Sequence, residues 1–67
     1  MNDKLLKALR TKYEAQKAEA EATLEVYFNN PVGIGEHPQI VEEMSKQVES
    51  LESAVGCLEI LNNHHLK

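Results

Sequence analysis

Apolar side chains recur along this chain in two long stretches of helical spacing, separated by one break. In the first, Leu6, Leu9, Tyr13, Ala20, Leu24 and Tyr27 follow one another in steps of three, four or seven, and Leu5 and Phe28 widen the ends. In the second, Val41, Met44, Val48, Leu51, Val55 and Leu58 alternate in steps of three and four, with Ile40, Ala54 and Leu61 flanking them. Positions spaced this way gather on one side of an α-helix, whose residues repeat every 3.6 positions. Between the stretches, Asn29 to Pro38 holds both prolines and two of the three glycines. A single short break returns the second helix alongside the first. The pattern therefore predicts an all-α fold: an antiparallel two-helix hairpin with helices over about 3–29 and 38–63, a tip loop over about 30–37, and one domain spanning 1–67.

Local signals agree with these boundaries. Asn2 or Asp3 supplies a side-chain oxygen for the unpaired amides of the first turn. Asn29 and Asn30 suit the end of a helix, and Pro31 forbids its continuation. Pro38 fits a first helical turn, where its missing amide costs nothing. Gly33 and Gly35 permit turns that Val32 and Ile34 would resist. The simplest use of Val32 and Ile34 is to fold back over Phe28, Ile40 and Val41. Glu36 or His37 then caps the second helix, with Ile34 stapled onto it. The same apolar tip, rimmed by Glu25, Glu36, Glu42 and Glu43, also reads as a recognition knob. Val32, Ile34, Glu36 and His37 are its candidate partner-binding residues, since loops carry function disproportionately often.

The two stripes differ in strength. The first is weak in the middle, where Gln16 and Lys17 occupy positions expected to be apolar and Ala15, Ala18, Ala20 and Ala22 surround them. Alanine favours helix and lets a second backbone approach closely, so a slim seam is the plain reading and a polar notch the alternative. The second stripe is broad enough to touch two neighbours, one being the first helix of the same chain. A chain of 67 residues folded as two helices encloses a seam and not a core. Such chains rely on a disulfide, a metal or association. Cys57 is the only cysteine, so it closes no intrachain disulfide. Association remains: a homo-oligomer, most simply a dimer of hairpins making a four-helix bundle. Leu6, Leu9, Tyr13, Leu24, Tyr27, Val41, Met44, Val48, Leu51, Val55 and Leu58 form the seam expected to hold fold and subunit contact.

Charge adds direction to this picture. The net charge is −4, but residues 1–17 carry Lys4, Lys7, Arg10, Lys12 and Lys17 against Asp3 and Glu14, while 18–60 hold nine glutamates and Lys46 alone. The hairpin thus has a basic open end and an acidic tip. The basic segment can pair with Glu52 and Glu59 of the returning helix or with a partner's acidic flank. Within the first helix, Asp3 with Lys7, Arg10 with Glu14 and Lys17 with Glu21 are four apart, a spacing worth a few tenths of a kcal/mol each on a solvated face. Nucleic-acid binding by a small helical dimer is disfavoured by the acidic balance. No segment approaches the roughly 20 apolar residues of a membrane span, and the N-terminus does not read as a signal peptide. The expected location is cytoplasmic or on a larger particle.

Chemistry finds little footing. Cys57 and His64 lie roughly 10 Å apart along a helix and so cannot share an ion. His64 and His65 point in different directions, His65 continuing the seam and His64 facing solvent. Glu42 and Glu43 are explained by the helix dipole, which favours acidic residues in a first turn. A two-helix hairpin also lacks the concave pocket that a nucleophile, base and orienting group require. No catalytic residue, metal ligand or cofactor is expected. Ile60 lies opposite the seam with Gly56 and Cys57 nearby, a solvent-facing residue or a second contact patch.

The string Tyr27-Phe28-Asn29-Asn30-Pro31-Val32-Gly33-Ile34-Gly35-Glu36-His37-Pro38 resembles the tip of small uncharacterised helical-hairpin proteins of T4-like tailed bacteriophages, including those of marine cyanobacteria. The resemblance extends over nearly the whole chain, with its specific part in these dozen residues. It implies a phage origin and no site residues. The expected function is non-enzymatic protein binding, by an accessory protein that modulates a host or phage protein. A structural piece of a virion or other assembly is the alternative.

Overall fold

The computed structural model describes residues 3–29 and 39–63. They form two helices, α1 over Asp3–Asn29 and α2 over Ile40–Asn63, packed against each other, with no strand among the described residues. Gln16 of α1 is bonded to Ser50 of α2, and Tyr27 to Glu43. Higher numbers on α1 meet lower numbers on α2, so the pair is antiparallel. The result is a rod of 49 × 15 × 14 Å.

Each helix starts as its sequence dictates. Asp3 lies in the first turn of α1, and Glu42 and Glu43 in that of α2, where the helix dipole favours negative charge. The first backbone bond of α2 runs from Glu43 N to Gln39 O at 3.0 Å. Gln39 thus takes the N-cap role, and α2 begins two residues later than the Pro38 signal predicts. The caps expected at Asn2, Glu36 and His37, and the whole tip from Asn30 to Pro38, lie outside the described residues. Near the end of α1, Thr23 Oγ1 donates to the Glu19 carbonyl at 2.8 Å, which gives a β-branched residue a helical role.

The core is as thin as two helices allow. Among the described residues only Ala20, Leu24 and Ala54 are buried, and the two alanines are shielded almost completely, at 1% and 0% exposure. Leu6, Leu9, Tyr13 and Tyr27 of α1 are half-buried, as are Ile40, Met44, Gln47, Leu51, Leu58 and Leu61 of α2. The valines of the broad stripe divide from this row. Val41 and Val48 stay 71% and 51% exposed, and Val55 is half-buried at the margin. A single neighbouring helix covers only part of a stripe this wide. The face that α2 turns toward α1 lies one residue back, along Ile40, Gln47 and Ala54, with Met44, Leu51 and Leu58 beside it.

Gly56 offers a test of the outer surface. It sits inside α2, and a Cβ built on it meets nothing within 4 Å. Its backbone does not require a glycine, because no glycine among the described residues has positive φ. Gly56→Ala is expected to stabilise the chain by about 0.5–1 kcal/mol, since alanine loses less backbone freedom on folding. Thermal melting of the two forms checks this. A lowered midpoint would mean that another surface lies against Gly56, Cys57 and Ile60.

Candidate protein-binding surface

An open groove runs along one side of the hairpin. It is lined by Glu14, Lys17, Ala18 and Glu21 of α1 and by Val55, Leu58, Glu59 and Asn62 of α2. Residues seven apart on a helix lie nearly in line. On α1 the row Lys7, Glu14, Glu21 and Phe28 therefore runs along this side of the hairpin, and on α2 the row Val41, Val48 and Val55 does so, with Glu14, Glu21 and Val55 lining the groove itself. Phe28 is 66% exposed, close to the value for Val41. The groove face thus joins an outward apolar row on α2 to a charged row on α1 that ends in an aromatic ring at the tip.

The opposite edge of the seam is held by polar side chains. Gln16 Nε2 donates to the Ser50 carbonyl at 2.9 Å. This bond gives the weak middle of the α1 stripe a structural use: the amide spans the gap that a large apolar side chain would otherwise fill. Tyr27 donates its hydroxyl to Glu43 Oε2 at 3.2 Å near the tip. Toward the open end Tyr13 stands beside Cys57, and the Lys12 ammonium lies 5.6 Å from the centre of its ring. Arg10 Nε is enclosed with no acceptor.

Both phenols are held above their ordinary value near 10. For Tyr13 the bond to Cys57 is the largest cause, followed by the charge of the ionised thiol and by desolvation. For Tyr27 desolvation comes first, then the bond to Glu43 and that carboxylate's charge. A raised folded pKa stabilises the protonated form. The contribution is complete below the unfolded value and is lost as pH rises through the higher folded value. The chain has two tyrosines, so its phenolate absorbance is expected to rise later than that of free tyrosine, with helicity falling over the same alkaline range. A titration coincident with free tyrosine would contradict both contacts.

The structure brings together the two ends of the predicted seam differently. Leu24, Met44, Leu51 and Leu58 lie between the helices or at their margin, with Leu6, Leu9, Tyr13 and Tyr27 half-buried beside them, while Val41 and Val48 face outward. The tip candidates Val32, Ile34, Glu36 and His37 lie outside the described residues, as do His64 and His65. Ile60 is 50% exposed, on the side of α2 away from Val48. No group of three or more His, Cys, Asp or Glu among the described residues is placed to hold a metal ion. No described helix is long and apolar enough to cross a membrane. The contacts of Gln16 and of Tyr13 were not anticipated from sequence. Their signal is the heptad, because Leu9, Tyr13, Gln16 and Ala20 are successive inward positions.

No protein-family model matches the chain, and comparison with curated proteins and with solved structures finds no match.

Proposed function

We propose that this chain is a non-enzymatic protein-binding module that works within an intermolecular helical bundle. The observation that carries the reading is the outward row of Val41 and Val48 on a hairpin whose buried core, among the described residues, is two alanines and a leucine. An apolar row of this kind, beside so small a core, supports the reading of an interaction surface. The resemblance of the tip to small T4-like phage proteins supports an accessory protein that modulates a host or phage protein in the host cytoplasm. The second reading is a structural component of a virion or another assembly. It draws on the same thin core, which neighbours in a particle would complete.

Far-UV circular dichroism over a dilution series tests the reading. Helicity that falls on dilution, or that is low until a partner is supplied, supports a surface made for protein contact. A chain that stays fully helical and monomeric at every concentration, with a concentration-independent melting midpoint, would refute it. Helix content gained only in purified particles would favour the structural component over the soluble modulator.

A further inference from the structure

Helix α2 carries two overlapping rows of helical spacing, and Met44, Leu51 and Leu58 belong to both. Ile40, Gln47, Ala54 and Leu61 complete one row, and Val41, Val48, Val55 and Asn62 complete the other. With about 100° of turn per residue, the centres of the rows stand roughly 50° apart around the helix, so passing from one to the other moves a side chain by about 5 Å. The first row has isoleucine and leucine at its ends with an amide and an alanine between them. The second has three valines and an amide. Burial of apolar surface therefore separates the two settings little. In the structure the first row is turned to α1, with Ala54 fully covered, and Val41 and Val48 are left outside.

What separates the settings is the edge of the seam away from the valines. Glu43, Ser50 and Cys57 are seven apart, so they stand in line along that edge. Each is met by a polar side chain of α1. Tyr27 donates to Glu43 at 3.2 Å, Gln16 donates to the Ser50 carbonyl at 2.9 Å, and Tyr13 stands beside Cys57. Turning α2 toward the valine row carries this line away from α1 and breaks the contacts together. The Gln16 bond is the strictest of them, because its acceptor is backbone and turns with the helix itself. The observed setting also carries a cost, since Arg10 Nε is enclosed with no acceptor.

We propose that this polar edge is a rotational latch: it holds α2 in the setting that displays Val41 and Val48, and when it opens α2 turns to bury the valine row against α1. The same two helices thus have a displaying and a closed setting, as sequences do when two packings differ little in free energy. The latch belongs to the single chain and operates whether or not a partner takes the row.

Nuclear magnetic resonance on the full chain tests this through methyl contacts between the helices. Mixing isotope-labelled with unlabelled protein separates contacts within a chain from contacts between chains. In the native chain, Ile40 and Ala54 are expected to show intrachain contacts with α1, and Val48 none. Gln16→Leu combined with Tyr27→Phe opens the latch without adding charge. It is expected to give Val48 intrachain contacts with α1 and to remove those of Ile40. Adding Gln47→Leu enlarges the first row and is expected to return the native pattern. Unchanged contacts in the double variant, or Val48 already against α1 in the native chain, would overturn the proposal. Should the double variant lose its helicity, Tyr27→Phe alone removes one hydroxyl and decides on the same signals. A partial gain at Val48 supports the latch, and no gain overturns it. Light scattering on the same samples reports self-association, which bears on the protein-binding reading alone.

Discussion

Leu51→Asp is expected to remove helicity and assembly together. Leu51 is half-buried in the row that packs on α1, and it adjoins Val48 and Val55 on the groove face, so it serves both contacts. Losing its partial burial costs about 1 kcal/mol, and the aspartate adds a poor helix former and a desolvated carboxylate. A chain of this length has a total stability of roughly 3–10 kcal/mol, so this one change removes much of what holds it. Far-UV circular dichroism and light scattering on the same fractions would show both losses. Unchanged helix content and mass would mean that Leu51 is not in the seam. Val48→Glu is the informative contrast: its position is half open in the single hairpin, so helicity is expected to survive there.

The second large effect is expected from adding volume, at Ala54. This residue has no exposed surface and lies in the row that α2 turns toward α1. Leucine is nearly as good a helix former as alanine, so propensity predicts almost no change for Ala54→Leu. Packing predicts a large one. Three further carbons have no space between the helices and would force them apart, at about 1–3 kcal/mol. For a chain this small, each kcal/mol moves the melting midpoint by roughly 4–8 °C. Ala22→Leu, on the exposed side of α1, is the control and is expected to leave the midpoint almost unchanged. Equal midpoints for the two variants would contradict the close approach at Ala54.

The hairpin was legible because its signals are local and redundant. Glycine and proline are absent from α1, they cluster between the helices, and two helical stripes flank them. The face of α2 that meets α1 was not legible to the residue. Apolarity alone favours Val48 over Gln47, and Val41 over Ile40 by continuity of the row. The fold turns Gln47 and Ile40 inward and leaves Val48 and Val41 out. A stripe broader than one neighbour satisfies several rotations about the helix axis. The choice among them depends on the partner helix, where small Ala20 and the Gln16 amide accept a close and partly polar contact. The sequence marked Gln16 as an interruption in the stripe, and its acceptor, a backbone carbonyl, has no side-chain identity to read. The sequence placed Val41, Val48 and Val55 in the seam of fold and subunit contact, and that the fold leaves Val41 and Val48 outside the contact with α1 was not legible. The tip candidates belong to a segment the described residues do not reach, so the phage resemblance stands on sequence alone.

A seam closed by Ala20, Leu24 and Ala54 has a further consequence for the life of the chain in a cell. Segments with few buried apolar contacts open at low free energy, and proteases act on the open form in proportion to its population. A copy whose apolar row is uncovered therefore spends more time cleavable than one whose row is engaged. Covering the row of Val41 and Val48 is therefore expected to slow proteolysis of the hairpin as well as to bury it.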